Sequence, residues 1–127
     1  TEDNQKKVIR MAKELAVKTK AVIVITGETD LVTDGETVYF IKNGVPEMAR
    51  ITGCGCMLDG VIAGFIGANQ GNILEATVTA VSAMGICGEY ARENAKGTGT
   101  LKVHLIDAMS NIDETWMERS NQIESRS

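Results

Sequence analysis

Between residues 3 and 26 an amphipathic helical pattern runs straight into a short, unbroken apolar run, and this succession restricts the fold more than any other feature. Val8, Ile9, Ala12, Leu15 and Ala16 recur at helical spacing with lysines and acids between them, which predicts a helix over residues 3–18. Ala21 to Ile25 then supplies continuous hydrophobicity, the pattern of a strand covered on both faces, predicted over residues 21–26. A helix feeding such a strand is an α/β unit, and it implies a layered domain with a mainly parallel sheet and right-handed crossovers. Ligands of such sheets collect beyond the strand carboxyl ends, where Thr26 stands.

Downstream, Leu31 to Thr33 and Thr37 to Ile41 flank Asp34-Gly35-Glu36, which predicts a short antiparallel hairpin over residues 31–41. Asn43-Gly44 marks a further turn, and Val45 to Ile51 reads as an extended segment entering a glycine loop at residues 52–56. Helices are predicted over residues 56–68, 73–94 and 102–112. The first carries Gly60, Gly64 and Gly67. Each costs about 1 kcal/mol relative to alanine, so close approach of a neighbouring backbone is expected. The second, small-residue helix shows little polar surface before Glu89 and is expected to pack on several sides. Lys96 to Thr100 reads as a flexible loop; it fits equally a border for a ligand and a cap for the next helix through Thr100. The polar tail at 118–127 is expected to fray.

With 127 residues and 43% hydrophobic content, the chain can bury the core of one domain. A net charge of −4, scattered cations and 4% aromatic residues argue against a nucleic-acid groove. Cysteines at 54, 56 and 87, without a secretory leader before them, point to a reducing cytoplasm rather than a disulfide scaffold. No apolar run approaches the roughly 20 residues of a membrane span. The chain opens Thr-Glu-Asp-Asn without methionine, so its natural start is expected upstream.

The stretch Ile51-Thr52-Gly53-Cys54-Gly55-Cys56-Met57-Leu58-Asp59-Gly60 carries the chemistry. Two glycines ahead of a helix expose successive backbone N–H groups at the positive end of the helix dipole, an arrangement that holds phosphate. Cys56 falls where the helix begins, and a thiol there is acidified. Anion hole and potential base together point to phosphoryl transfer. A metal reading of Cys54 and Cys56 lacks the second ligand pair of zinc sites, and His104 is distant in sequence. Cys54 is read as filler, Cys87 as a small buried hydrophobe, and His104 and Trp116 as structural. Asp59 shares the helix face of Cys56, where it compensates the dipole or assists a proton. Glu28 and Asp30 are read as a solvated turn.

Taken together, Val-Ile-Thr-Gly-Glu, the Asp-Gly hairpin, Thr-Gly-Cys-Gly-Cys-Met-Leu, the glycine-rich helix and Gly-Thr-Gly-Thr resemble the hydroxyethylthiazole kinases of thiamine salvage, within the ribokinase-like superfamily. The resemblance runs from the first helix to about Met117 and covers the carboxyl-terminal half of a family member. It implies a partial ribokinase-like fold and ATP-dependent phosphorylation, with Mg²⁺, of the primary alcohol of 4-methyl-5-(2-hydroxyethyl)thiazole. By the same resemblance Thr26 contacts ATP, Gly53 contacts the acceptor, and Gly53, Cys54, Gly55 and Cys56 form the anion hole. Cys56 occupies the position where most of the superfamily carries an aspartate base, and it either abstracts the hydroxyl proton or positions the hydroxyl. The resemblance places the magnesium ligands and most of the acceptor pocket upstream, leaving no metal ligands in this chain. It also implies a homotrimer, or a companion chain that supplies the upstream half. A kinase for another small alcohol and a non-catalytic nucleotide-binding subunit are the alternatives.

Overall fold

The computed structural model describes residues 2–50, 54–68 and 70–126. Its sheet is built on strict alternation. Strands β1 (Ile23–Ile25), β2 (Asp30–Thr33), β3 (Val38–Ile41) and β4 (Ile123–Arg126) lie in that order, each antiparallel to its neighbour. Leu31, Val38 and Phe40 point to one face, where they meet Ile9 and Ala12 of helix α1 (Glu2–Thr19) together with Ile23. Val32 and Ile41 point to the other, against Val78 and Val81 of α3 (Ile73–Asn94), with Leu58 and Ile62 of α2 (Cys54–Ala68) alongside. Helices therefore pack on both faces of the sheet, whereas the run at 21–25, read as a strand covered on both faces, is only half-buried. Full burial of such side chains contributes about 1.5–3 kcal/mol each. A second apolar seam joins Met84, Cys87 and Ala91 of α3 to Leu101, Leu105 and Ala108 of α4 (Thr98–Asn111).

The expected mainly parallel sheet is not what forms among the described residues. Parallel neighbours need a crossover of a dozen or more residues. Here short connections join β1 to β2 and β2 to β3, and hairpins are the only pairing such links permit. The predicted strand at 21–26 narrows to Ile23–Ile25, at the sheet edge, so Ile25 remains 38% exposed. α1 stops ahead of it with Lys20 in the left-handed region (φ 56°) and the Ala21 N–H returning to Ala16 O at 3.3 Å.

Three further expectations are corrected. Of the expected extended segment 45–51, the described residues are not extended: Gly44 turns the chain at φ 124°, Pro46 opens a 3-10 turn over Pro46–Arg50, and Met48 N–H bonds Val45 O at 3.2 Å, while Ile51 lies outside the described residues. The loop at 96–100 is shorter than expected, because α4 begins at Thr98 and Thr100 Oγ1 accepts from the N–H groups of Lys96 (2.9 Å) and Gly97 (3.1 Å). That geometry selects the capping role for Thr100. The polar tail does not fray as a whole. Asp113 caps α5 (Glu114–Ser120) by accepting the Trp116 N–H at 2.8 Å, and β4 follows as the fourth strand. β4 is held by a Lys42–Glu124 ion pair at 2.8 Å and by Arg126 stacked 5.0 Å above the Phe40 ring. Trp116 packs edge-on against Tyr90, with ring centroids 5.4 Å apart.

The glycines also divide differently from expectation. A Cβ at Gly60, Gly64 or Gly67 of α2 would meet nothing within 4 Å among the described residues. Close approach occurs on α3 instead, where Gly85 lies against the backbone of Asn43 and Gly88 against the Met48 thioether.

Candidate functional site

β1 ends at Ile25, and Thr26 emerges from it into an open cavity of about 950 Å³. The strand-end turn of Thr26, Gly27 and Asp30 contributes part of its wall, and Asn43, Gly44, Val45, Pro46, Met48 and Ala49 contribute another part. α3 forms the floor through Val81, Met84 and Gly85. The first turn of α2 closes one end with Gly55, and Leu58 lies one turn further on. Thr26 and Gly55, about thirty positions apart in sequence, thus share one cavity, beyond the carboxyl end of a strand as such sheets favour.

α2 begins at Cys54, two residues earlier than the predicted helix at 56–68. Cys54, Gly55 and Cys56 therefore belong to its first turn rather than to a loop. The first four N–H groups of a helix lack intrahelical acceptors, so the backbone of this turn is a source of donors for an anion. Gly53, and with it the expected acceptor contact, lies outside the described residues, as do the side chains of Cys54 and Cys56. Asp59 sits on the exposed side of α2.

Asp30 departs from the solvated turn expected of it. Its Oδ1 accepts the Gly27 N–H at 3.0 Å, closing the turn that follows Thr26. Burial pushes the Asp30 carboxyl above the ordinary carboxylate range, and the Gly27 hydrogen bond partly opposes that shift. Lys42, the cation among the described lining residues, is already paired with Glu124. A smaller apolar cleft of about 400 Å³ lies between α2, α3 and α4, lined by Val61, Phe65, Met84, Cys87, Met109 and Ile112. It offers hydrocarbon and thioether surface rather than phosphate donors. Cys87 within it is buried, and its thiol is pushed up to about 11.

Among the described residues no group of three or more His, Cys, Asp or Glu side chains converges as metal ligands do. Among the same residues no helix is long and apolar enough to cross a membrane.

Sequence reasoning did not single out Gly85, Met48 or Asn43 as parts of a site. Asn43-Gly44 read only as a turn, and nothing local marks a turn as the wall of a cavity.

Comparison with known proteins yields consistent matches. The model of the hydroxyethylthiazole kinase family matches residues 1–115. The chain is 42% identical over 125 residues to hydroxyethylthiazole kinase 1 of Clostridium botulinum, covering 98% of this chain and 46% of that protein. It is 42% identical over 107 residues to hydroxyethylthiazole kinase of Arabidopsis thaliana, covering 84% of this chain and 39% of the relative. The solved hydroxyethylthiazole kinase protein of Pyrococcus horikoshii OT3 superposes with a TM-score of 0.90 at 27% identity, over 99% of this chain and 49% of that one. The chain thus spans about half the length of the curated relatives it matches.

Proposed function

The chain belongs to the hydroxyethylthiazole kinase family, and from that premise we propose that it forms the phosphoryl-transfer half of an ATP-dependent kinase acting in thiamine salvage. The acceptor is the primary alcohol of 4-methyl-5-(2-hydroxyethyl)thiazole. The fold reading that accompanies it is a partial ribokinase-like layer, with the remaining layer supplied from outside these residues. So are most of the acceptor pocket and the ligands of the Mg²⁺ that accompanies ATP.

The supporting observation is the shared cavity: Thr26 at the end of β1 and Gly55 in the first turn of α2 line the same space. In the proposed reaction Thr26 contacts the nucleotide, and Gly53 contacts the acceptor alcohol. The acceptor oxygen attacks the γ-phosphorus, the bond to the β,γ-bridging oxygen breaks, and ADP leaves. Backbone N–H groups from Gly53 to Cys56 hold the charge spread over the transferring oxygens, which is where most of the rate of such reactions arises. The hydroxyl proton leaves towards Cys56, whose position in the first helical turn favours the thiolate. Cys56 acts as the base or steers the hydroxyl into line.

The test is alcohol-dependent ADP release from the longest natural reading frame that contains this chain. The acceptors are the thiazole alcohol, a hydroxymethylpyrimidine and ribose. Release with the thiazole alcohol alone is the expected result. Release with a different acceptor overturns the substrate assignment. ATP binding with no release on any acceptor leaves a non-catalytic nucleotide-binding subunit.

A further inference from the structure

One polar cluster is centred on Asn43, a residue of the cavity lining, and the proposed chemistry does not use it. Asn43 is buried, with 4% of its surface exposed. Its Nδ2 donates to Ser120 O at 3.0 Å and to both carboxylate oxygens of Glu89 at 3.3 Å. Its Oδ1 accepts the Gln122 N–H at 2.7 Å and the Ser82 hydroxyl at 3.4 Å. Glu89 Oε1 also accepts the Gly44 N–H at 3.0 Å. One amide and one carboxylate thus join the end of β3, the middle of α3, the end of α5 and the entry to β4.

We propose that Asn43 and Glu89 are positioning residues that clamp the wall formed by Gly44, Val45 and Met48 onto α3 and so shape the nucleotide side of the cavity, an inference that rests on the kinase reading above. The physical argument starts from Glu89. A half-buried carboxylate on an otherwise small-residue helix is costly unless it is supplied with donors. Here the donors come from the turn where Gly44 redirects the chain at φ 124° into the 3-10 turn. The carboxylate fixes the direction in which that turn leaves β3. Without it the Gly44 N–H and the Asn43 Nδ2 lose acceptors in a part-buried site, and the wall is free to lift from α3. Asn43 Oδ1 ties the same wall to Gln122, so the carboxyl-terminal segment supports the cavity from behind. Thr26, the proposed nucleotide contact, lines the same cavity as Gly44, Val45 and Met48, so the effect is expected on ATP rather than on the reacting alcohol.

The experiment compares Glu89→Ala and Glu89→Gln in the longest natural reading frame that contains this chain. It reads steady-state kinetics with ATP and the thiazole alcohol, ATP binding by titration, and amide hydrogen exchange at Gly44. Glu89→Ala is expected to raise the KM and Kd for ATP about tenfold, the scale of one charge-assisted hydrogen bond, with kcat within about threefold. Gly44 exchange accelerates in parallel. Glu89→Gln keeps the Oε1 acceptor for Gly44 and Asn43 but sets an NH2 against the Asn43 Nδ2 in place of Oε2, so it restores Gly44 protection and returns the KM and Kd for ATP to within about threefold of the parent. An unchanged KM for ATP alongside faster Gly44 exchange refutes the link to the cavity. A Gly44 amide that stays protected in Glu89→Ala refutes the clamp itself. Equal losses of kcat in both variants reduce Glu89 to a general folding role and also overturn the proposal. A parent protein that phosphorylates no alcohol sinks the kinase reading instead, and the exchange and ATP titration then decide the clamp on their own.

Discussion

Replacing Gly85 with alanine puts a Cβ atom where there is no room for one. At ideal geometry it lies 2.5 Å from Asn43 O, 2.6 Å from Asn43 C and 2.7 Å from Asn43 Cβ. Two of those atoms are main chain, so relief requires α3 or the cavity wall to move as a body. Overpacking of this kind costs about 1–3 kcal/mol, and three atoms inside contact distance place it near the upper end. Alanine returns about 1 kcal/mol through helix propensity, which leaves a net loss of about 2 kcal/mol. Gly88→Ala, three residues along the same helix, is the internal control. Its new Cβ meets the Met48 side chain, chiefly the Sδ atom, and a flexible thioether yields by rotation. That rotation costs about 0.5–1.5 kcal/mol, roughly what the propensity gain offsets. Urea unfolding followed by far-UV circular dichroism, at unchanged m, should therefore separate the two variants by about 2 kcal/mol. Equal midpoints for Gly85→Ala and Gly88→Ala would show that the Asn43 backbone does not rest on α3 as described.

Three other predictions follow from single groups. Cys56→Ala should lower turnover while ATP binding, measured by titration, persists; unchanged turnover removes Cys56 from the mechanism. The Asp30 carboxyl is raised above 3.8 by burial, so its ionisation weakens the fold as pH rises through the folded value. Asp30→Asn keeps an acceptor for the Gly27 N–H and should be more stable than the parent at about pH 7, with the gain gone at about pH 3, where the carboxyl is protonated folded or unfolded. A gain of the same size at both values refutes the burial argument. Cys87, pushed up to about 11, should resist iodoacetamide at about pH 8 in the folded protein and react once it is unfolded, as read by peptide mass spectrometry.

The α/β class and the positions of several elements were legible because they follow from local sequence pattern. Residues 3–18 carry a helical period, 21–25 a short apolar run and 73–94 a long stretch of small apolar residues, and the structure places α1, β1 (Ile23–Ile25) and α3 there. The direction of the strands was not legible. Helix-then-strand suggests a parallel crossover, but a crossover joins two strands, and no described strand precedes α1. The connections that do exist, at residues 26–29 and 34–37, are of hairpin length. β4 was missed for a different reason. Ile123-Glu124-Ser125-Arg126 has a single apolar residue, and its pairing with β3 rests on Lys42, Phe40 and the Asn43 amide, all some eighty positions away. Sequence patterns do not record partners at that distance.

Glycine shows the same limit inside the site. The rows at Gly60, Gly64, Gly67 and at Gly85, Gly88 are equally suggestive in sequence, yet among the described residues it is the second that has a backbone or side chain pressed against it. That second row matters because Gly85 lines the cavity and rests on the Asn43 backbone. Thr26, Gly27, Gly44, Gly55 and Gly85 contribute little side-chain surface to the cavity, and Glu28 and Asp30 contribute negative charge. Lys42, the described lining cation, is held by Glu124 at 2.8 Å. A polyphosphate entering here meets more carboxylate than free cation from these residues, so its charge falls chiefly to backbone N–H groups at the start of α2. Donors of that kind cannot be removed by changing a side chain, but they can be misaligned by moving the backbone. Gly85→Ala displaces main chain and Gly88→Ala does not. The pair should therefore differ in nucleotide affinity in the same order as in stability.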